Sequence, residues 1–310
     1  MVNDCAYVGE TLVKYLPSDV TTSYLKRSRG LWDKTFGLAW KILRANGDVF
    51  HVHYLLQDCY LAAKFGKRPL VGHAHGSDLR NGLKHRVWGR IVRYNLENCD
   101  KIFVSTPDLL RIAKEYRNDV EYLPNPVDTH LFYPNPKPPR RYEKKLRVLV
   151  ASGSDWVVKG TDIAIHALSE LKEEVEVSVV RYGRDFVETL ALAKSLGLTL
   201  NILPKMPHEK VREYYWDSDV VIDQFKVGTL GMITLEAIAC GRPVITYLSS
   251  EYTEYSDFSL MNVNSVGKVV EALRNVSPQL WEAEYQYLNK RHNPEKVAER
   301  VHDVYKALTQ

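Results

Sequence analysis

The segment Gly231–Ile245, GMITLEAIACGRPVI, holds the residues best placed to do chemistry. It begins with a glycine, continues as a short helix with one carboxylate, Glu236, and stops at Gly241 before a new strand. The free amides and the dipole of a glycine-led helix start attract anions, and a carboxylate one turn further along can bind sugar hydroxyls. Such a unit can hold a nucleotide by its phosphates and its ribose. The pattern also fits an ordinary strand–loop–helix unit in which Glu236 is merely solvated.

A lysine precedes another predicted helix, in the tetrapeptide KGTD at 159–162. The ammonium group of Lys159 could neutralise a diphosphate there. The surrounding sequence lacks the Gly-x4-Gly-Lys-Ser/Thr spacing of a P-loop, which argues against a kinase or an ATPase. Because Lys-Gly is a common surface dipeptide, only its context points to a site.

Histidines lie at the ends of two predicted strands. His51 and His53 end one strand, and His75 follows the next in the sequence HGSD at 75–78. An imidazole at a strand end can hydrogen-bond a sugar hydroxyl or a transferring group, and Gly76 lets a ligand approach closely. We interpret His75 as functional, with the carboxylate of Asp78 at the same rim. We interpret His51 and His53 as packed residues satisfied by the backbone.

The segment Leu83–Glu97 is predicted as a basic amphipathic helix, with Arg86, Arg90 and Arg93 on one face. An apolar stripe adjoins that face: Leu83, Val87, Ile91 and Tyr94. Such a helix can lie on an acidic membrane or bind a phosphorylated acceptor. A core-facing helix with a solvated outer face has the same pattern, and this alternative stays open. No RNA- or DNA-binding motif accompanies the arginines, so nucleic acid is not an expected partner.

Asp217 and Asp219 have the spacing of carboxylates that hold a divalent cation with a nucleotide sugar. Asp219 leads directly into the apolar run at 220–222. We therefore interpret the pair as the end of a helix and the start of a strand, and we predict no metal site.

Length and composition predict a soluble protein of two domains. No run of 18 apolar residues occurs, and the first residues have neither the basic nor the apolar region of a secretory signal. Four scattered cysteines predict reduced thiols and a cytoplasmic setting. Residues 1–140 hold 21 lysines and arginines against 14 acidic residues, whereas residues 141–310 hold 21 against 24. The first half is therefore expected to meet an anionic partner.

Short apolar runs alternate with helical patterns, which predicts parallel sheets with helices on both faces. The predicted strands are 49–54, 70–74, 101–105, 120–123, 146–152, 175–180, 200–203, 220–222 and 244–247. The predicted helices include 34–45, 83–97, 107–116, 161–171, 184–196 and 208–216. A segment rich in proline and cations, 133–145, predicts a linker, so we place domains at 1–140 and 141–292. A last helix, within 293–310, should be capped by Asn293 with Pro294 at its first position.

Taken in order, these motifs resemble the retaining glycosyltransferases of family four (group 1). The residues that carry the resemblance are HGSD at 75–78, STP at 105–107, LPNPVD at 123–128, KG at 159–160 and the segment 231–245. No single motif is decisive, but their order and spacing over nearly the whole length are specific. The resemblance implies an α/β fold of the GT-B type, with two Rossmann-like doubly wound domains facing a central cleft. Residues 293–310 would return to the N-terminal, acceptor-binding domain.

The resemblance also implies roles for single residues. Lys159 would neutralise the diphosphate of a nucleotide sugar, and the amides near Gly231 and Met232 would cradle its phosphates. Glu236 would bind the ribose hydroxyls, and His75 would contact the donor sugar near the reacting carbon. The sugar would be transferred with retention at the anomeric carbon, without a metal ion or another cofactor.

Three further positions relate to the family pattern. Gly9 would occupy the glycine turn after a shortened first strand, facing donor and acceptor. The family has an arginine where this chain has Ser154, and a glutamate where it has Gly228. Asp223 and Gln224, just upstream, would supply donor contacts instead.

The resemblance thus implies a metal-independent glycosyltransferase of the hexosyl type. A nucleotide-sugar epimerase on the same fold stays open. A non-catalytic nucleotide-sugar-binding protein also stays open, because Ser154 and Gly228 remove two charged side chains. The expected partners are a nucleotide sugar and a lipid-linked or phosphorylated acceptor. Peripheral contact with the inner membrane face, through Arg86, Arg90 and Arg93, is expected for a cytoplasmic protein of this kind.

Overall fold

The structure, a computed structural model, describes residues 1–26, 36–135 and 145–310. The described chain divides into two compact units, Met1–Pro126 with His292–Gln310, and Val127–Arg291. This division lies upstream of the domain boundary at 140 that the sequence predicts, because residues 127–135 group with the second unit. Residues 136–144 of the predicted linker, and the first two residues of the predicted helix at 34–45, lie outside the described residues.

The first unit contains a parallel sheet built from the apolar runs that the sequence indicates. Its strands are β1 (Phe50–His53), β2 (Leu70–Ala74), β3 (Lys101–Val104) and β4 (Glu121–Tyr122). They pair in the order β1-β2-β3-β4, and all pairs are parallel. The predicted strands of both units end within two residues of the observed ones.

Val2 extends this sheet beyond β1. It forms parallel bridges to Val52 on one side and to Leu25 on the other, so the predicted first strand is reduced to single-residue bridges. The chain therefore runs first to Val2, then outward to Leu25, and then back across Val2 to β1. This reversal is the switch point of a doubly wound sheet, where ligands bind beyond the carboxyl ends of the strands.

The helices within Met1–Pro126 are α1 (Val8–Tyr15), α2 (Leu38–Arg44), α3 (Gln57–Lys64), α4 (Ser77–Arg80), α5 (Trp88–Asn98) and α6 (Pro107–Lys114). Of these, α2, α5 and α6 overlap the predicted helices at 34–45, 83–97 and 107–116, whereas α1, α3 and α4 were not predicted from the sequence. Buried residues of β1, β2 and α5 form one apolar core, which includes Val52, Leu70, Val92 and Leu96.

The predicted helix at 83–97 is wrong at its amino end. Residues Gly82–Lys84 form a 3₁₀ turn, and α5 begins only at Trp88. The helix buries Gly89, Val92, Asn95 and Leu96. The predicted stripe through Val87 is therefore not the buried face, and Val87 is 58% exposed. Gly89 fixes this register, because a Cβ there would lie 2.5 Å from the carbonyl oxygen of Leu83.

The second unit is a five-stranded parallel sheet with helices on both faces. Its strands are β5 (Leu146–Val150), β6 (Val175–Val180), β7 (Leu200–Leu203), β8 (Val220–Ile222) and β9 (Val244–Ile245). The order is β7-β6-β5-β8-β9, so the direction of winding reverses between β5 and β8. Alternate residues of β5 belong to different cores: Val148 and Val150 lie in one, and Leu149 lies in the other.

Helices cover both faces of this second sheet. They are α7 (Thr161–Glu170), α8 (Phe186–Ser195), α9 (Arg212–Asp217), α10 (Met232–Ala239), α11 (Val266–Arg274) and α12 (Pro278–Arg291). The predicted helix at 208–216 is split into a 3₁₀ turn, His208–Lys210, and α9. Asp217 ends α9, and Asp219 pairs with Arg147 at 2.7 Å before β8 begins. This confirms the interpretation of the two aspartates as a helix end and a strand start.

The last helix, α13 (Pro294–Thr309), groups with the first unit. Its predicted cap is confirmed, because Lys296 N donates to Asn293 Oδ1 at 2.9 Å and Pro294 is the first helical residue.

Candidate functional site

Lys159 lies at the switch point of the second sheet. It follows β5 in the turn before α7, while Asp223 and Gln224 follow the neighbouring strand β8. The amide of Phe225 donates to the carbonyl oxygen of Lys159 at 2.7 Å, which ties the two loops together. The connections of β5 and β8 leave in opposite directions, and in doubly wound sheets ligands bind beyond the carboxyl ends of the strands at such a point.

The ammonium group of Lys159 is held by the loop after β8. Its Nζ lies 3.1 Å from Gln224 Oε1 and 3.5 Å from Asp223 Oδ1. The Asp223 carboxylate is fully buried, whereas the side chain of Lys159 is 27% exposed. An ammonium group has three donors, so Lys159 can hold a ligand oxygen in addition to these partners.

The start of α10 meets the same loop. Gly231 stands at the N-cap position, and a Cβ on it would lie 2.5 Å from Asp223 Oδ2. Thr234, in the first turn, donates to that same oxygen at 2.9 Å. Asp223 therefore joins Lys159 to the amino end of α10, and the structure brings the predicted residues Lys159, Asp223, Gln224, Gly231 and Met232 together. Their roles toward a donor stay predictions.

Glu236 follows one turn later on α10. It is only 4% exposed, so the alternative of a merely solvated carboxylate is wrong. Its Oε1 lies 2.7 Å from His208 Nε2, and its Oε2 accepts a hydrogen bond from the hydroxyl of Tyr215 at 3.0 Å. Burial, together with the negative charge of Glu236, raises the pKa of Tyr215, so this hydroxyl stays protonated and remains a donor.

Neither hydrogen-bond partner of Glu236 was predicted from the sequence. Tyr215 and His208 are 21 and 28 residues away from it along the chain. In the sequence, both residues belong to the predicted helix at 208–216. The spacing of residues within that helix does not show that it packs against α10. The signal that could have found them is indirect: a buried carboxylate requires donors, and the preceding α-helical segment offers a tyrosine and a histidine.

Gly228 explains one departure from the family pattern. Its φ is +72°, and a Cβ on it would lie 2.9 Å from the ring of Tyr247. A glutamate therefore does not fit here without a change in the backbone. Ser154, at the position of the family's arginine, is buried, and its backbone packs against Gly183.

In the first unit, four histidines form a compact array on one face of β1 and β2. His53 Nδ1 lies 2.8 Å from His75 Nε2, and His51 Nε2 lies 3.3 Å from His73 Nδ1. The prediction that backbone groups satisfy His51 and His53 is wrong, because the partners of both rings are side chains. His51 Nδ1 also lies 2.6 Å from the hydroxyl of Tyr305 on α13. Alternation along the strands places these rings on the face opposite the apolar core.

His75 is the outermost ring of the array. Burial lowers its pKa to about 3, so the imidazole is neutral at physiological pH. The carboxylate of Asp78 does not join it at an open rim, as the sequence analysis expected. Asp78 is fully buried, and it accepts hydrogen bonds from the amides of Leu55, His75 and Gly76. It therefore shapes the loop that carries His75.

The array has the composition of a metal site but not the orientation of one. Within the part of the chain that the structure describes, His51, His53 and His73 form the group whose ligand atoms lie close enough to share an ion, within 4.8 Å of one another. The rings of His51 and His53 are stacked at 4.9 Å with 6° between their planes. Because imidazole lone pairs lie in the ring plane, those of stacked rings run side by side instead of converging on one ion.

Gly9 lies in the first turn of α1, not in the preceding turn where the resemblance placed it. That turn is made by residues 3–7, in which Asn3, Ala6 and Tyr7 have φ values of 60°, 48° and 64°. A Cβ on Gly9 would lie 2.9 Å from His53 Nε2. Close packing against the histidine array therefore requires this glycine.

The three arginines of the predicted basic helix do not share one helical face. Arg86 precedes α5 and is exposed, as is Arg90 within the helix. Arg93 reaches back toward the carbonyl oxygen of Leu83 at 3.5 Å. A role of these residues in binding an acceptor or a membrane stays a prediction.

Comparison with known proteins agrees with this arrangement. A family model described as Glycosyltransferase Family 4 matches residues 6–131, and one described as Glycosyl transferases group 1 matches residues 135–256. The structure of HepE from Anabaena in complex with UDP-glucose superposes with a TM-score of 0.71 at 14% identity, covering 92% of this chain and 86% of HepE. The chain has the two-domain α/β architecture of the GT-B glycosyltransferases, and the two family matches, at 6–131 and 135–256, support a glycosyltransferase of group 1.

Two curated proteins share part of their sequence with the chain. N-acetyl-alpha-D-glucosaminyl L-malate synthase of Bacillus anthracis is 24% identical over 216 residues, which cover 65% of this chain and 57% of that protein. D-inositol 3-phosphate glycosyltransferase of Xylanimonas cellulosilytica is 28% identical over 228 residues, which cover 64% of this chain and 55% of that protein. The matched part of the chain thus spans a little over half the length of these relatives.

None of the helices in residues 1–26, 36–135 and 145–310 is both long and apolar enough to cross a bilayer.

Proposed function

We propose that this chain is a retaining, metal-independent glycosyltransferase of the hexosyl type that uses a nucleotide-diphosphate sugar. The observation that carries the proposal is the meeting of Lys159, the Asp223–Gln224 loop and the amino end of α10 at the switch point of the second sheet. A cation and a set of helix amides at one point favour an anionic ligand. Glu236, one turn further along α10, would accept hydrogen bonds from the ribose.

The names of similar proteins support this donor class. HepE, which shares the fold, was solved with UDP-glucose, and the relative from Xylanimonas cellulosilytica is named a glycosyltransferase. The latter name includes inositol 3-phosphate, which supports a phosphorylated acceptor for this chain. We propose Arg86, Arg90 and Arg93 as the residues that contact such an acceptor or an anionic membrane.

In the proposed reaction, the bond between the anomeric carbon and the diphosphate oxygen breaks while the acceptor oxygen attacks from the same face. The proton of the acceptor hydroxyl passes to the departing diphosphate. Negative charge grows on that diphosphate, and Lys159 and the first amides of α10 stabilise it where it develops. The two flanking carboxylates of glycosidases are therefore not required.

His75 is proposed to contact the donor sugar near the reacting carbon. Because burial keeps its imidazole neutral, it can donate one hydrogen bond and accept another, but it does not supply a positive charge. In this scheme, the charge stabilisation comes from the second unit alone.

A thermal-shift screen of UDP-, GDP- and ADP-sugars tests the proposal. A nucleotide sugar that binds at one hundred times its dissociation constant adds about 2.7 kcal/mol to the free energy of unfolding. We expect one base to give a clear rise in melting temperature, and no rise with any nucleotide sugar would contradict the proposed function.

Turnover assays with the selected donor test the retention of configuration, the independence from metal and the epimerase alternative. NMR of the product gives the anomeric configuration, which should match that of the donor. EDTA should leave the rate unchanged if no metal takes part. Incubation with donor alone should leave the donor sugar unchanged, whereas conversion to an epimer would favour the alternative enzyme class.

A further inference from the structure

Glu236 is a buried carboxylate with a donor on each oxygen. His208 Nε2 lies 2.7 Å from one oxygen, and the hydroxyl of Tyr215 lies 3.0 Å from the other. A carboxylate has no proton to give, so both contacts require the histidine and the tyrosine to donate. Two donors on different oxygens fix the rotation of the carboxyl group about its last bond.

The two donors are themselves held in place. Tyr215 belongs to α9 and is fully buried. The ring of His208 packs edge to face against Phe132, with 5.1 Å between the ring centroids. The orientation of the carboxylate is therefore set by α9 and the turn before it, while its position is set by α10.

A carboxylate offers about four acceptor positions, of which His208 and Tyr215 use two. Two remain, one on each oxygen, and they suit two adjacent hydroxyl groups. Glu236 is four residues beyond Met232, which corresponds to about 6 Å along the helix axis. A ligand whose phosphates meet the amino end of α10 would thus bring a neighbouring diol close to Glu236.

We propose that His208 and Tyr215 are positioning residues that orient Glu236 toward the two ribose hydroxyls of the nucleotide. This inference rests on the proposed function, because it assigns a ribose to the space beside Glu236. It goes further because it assigns the discrimination between a ribose and a sugar without these hydroxyls to two residues outside α10, one on α9 and one in the turn before it.

The test uses substitutions that preserve shape. Tyr215→Phe keeps the buried ring and removes its hydroxyl, and His208→Leu removes the donor of the histidine. His208→Gln keeps an N–H donor and serves as the conservative rescue. Tyr287→Phe is the matched control, because Tyr287 is also a buried tyrosine and its hydroxyl donates to the carbonyl oxygen of Glu254.

The measurement is calorimetric titration of the full chain with UDP, GDP and ADP and with their 2′,3′-dideoxy analogues. For the base that binds, the wild type should prefer the ribonucleotide. Tyr215→Phe and His208→Leu should each weaken ribonucleotide binding by about tenfold and leave binding of the dideoxy analogue unchanged. His208→Gln should recover most of the preference, and Tyr287→Phe should keep all of it.

The outcomes separate the inference from the proposed function. If the wild type prefers the ribonucleotide and both variants keep that preference, the inference is wrong and the proposed function stands. If His208→Leu binds the ribonucleotide more tightly, the histidine occupies the place of a ribose hydroxyl, which also overturns the inference. If no nucleoside diphosphate binds the wild type, the proposed function fails and the inference fails with it.

Discussion

Asp223 places one carboxylate oxygen 2.5 Å from the point where a Cβ on Gly231 would lie. The other oxygen of the same carboxylate lies 3.5 Å from the ammonium group of Lys159. One buried side chain thus packs against the start of α10 and also faces the cation. The glycine at the head of this helix is required by this contact and not by its backbone, because its φ of −94° is accessible to any residue.

Gly231→Ala should therefore displace Asp223 and disturb Lys159. We expect a loss of about 1–3 kcal/mol in the free energy of unfolding, the usual cost of overpacking, together with weaker donor binding. Gly267→Ala on α11 is the control, because a Cβ there meets nothing within 4 Å and alanine favours a helix. Chemical denaturation and titration with the selected nucleotide sugar measure both effects. Equal stability of the two variants would contradict the predicted clash.

Lys159→Ala should reduce turnover more than it reduces donor binding. The ammonium group is proposed to act on charge that develops as the diphosphate leaves, and loss of one such donor costs about 10²–10³ in kcat. Lys194→Ala, on the exposed side of α8, is the control for loss of a positive charge in the same unit. Steady-state rates and donor affinity should be measured for both. If Lys159→Ala turns over normally, the catalytic role of this lysine is wrong.

Much of the second unit could be predicted from the sequence because its signals are local. The alternation of apolar runs and helical patterns gave strands within two residues of those observed, and Lys159 and Gly231 each follow a strand and precede a helix. In a parallel sheet the carboxyl ends of neighbouring strands share one edge. Adjacency of the two loops in space then follows from the pairing of β5 with β8, which the structure supplies and which was not predicted from the sequence.

Other features depend on contacts that no local pattern encodes. The donors to Glu236 come from a segment more than twenty residues away, and their positions follow from the packing of α9 on α10. The observed helix α5 begins several residues after the start that the sequence predicts. Gly89 packs closely against the carbonyl oxygen of Leu83, and the hydrophobic periodicity of the sequence does not show this contact. The histidine array was missed because side-chain partners across two strands were interpreted as backbone partners within one.

Gly228→Glu, which restores the glutamate of the family, should destabilise the fold and not improve activity. Its φ of +72° is strained for any residue except glycine, and the ring of Tyr247 fills the space for a side chain. Such strain costs about 1–3 kcal/mol. Gly228→Ala separates the cost of the backbone from that of the longer side chain, and both should lower the melting temperature. A stable Gly228→Glu variant with faster turnover would show that this loop accepts the glutamate of the family pattern.

Glu284→Gln should stabilise the protein at neutral pH. Glu284 is fully buried on α12, where one oxygen accepts a hydrogen bond from Val244 N at 2.9 Å and the other has no partner among the described residues. Burial raises its pKa well above the ordinary value of 4.5. Below pH 4.5 Glu284 is mostly protonated in both the folded and the unfolded chain, so its ionisation does not lower the free energy of unfolding.

Above that pH, the unfolded chain loses the proton while the folded chain keeps it. The free energy of unfolding then falls by up to about 1.4 kcal/mol per pH unit until the pH reaches the raised pKa of the folded state. Glutamine keeps an acceptor for Val244 N and cannot ionise, so the variant should gain stability over the wild type as the pH rises from 5 toward 8. Glu282→Gln, exposed on the same helix, should show no such gain. Chemical denaturation across this range measures the difference, and a difference that does not change with pH would mean that Glu284 is ionised in the folded protein.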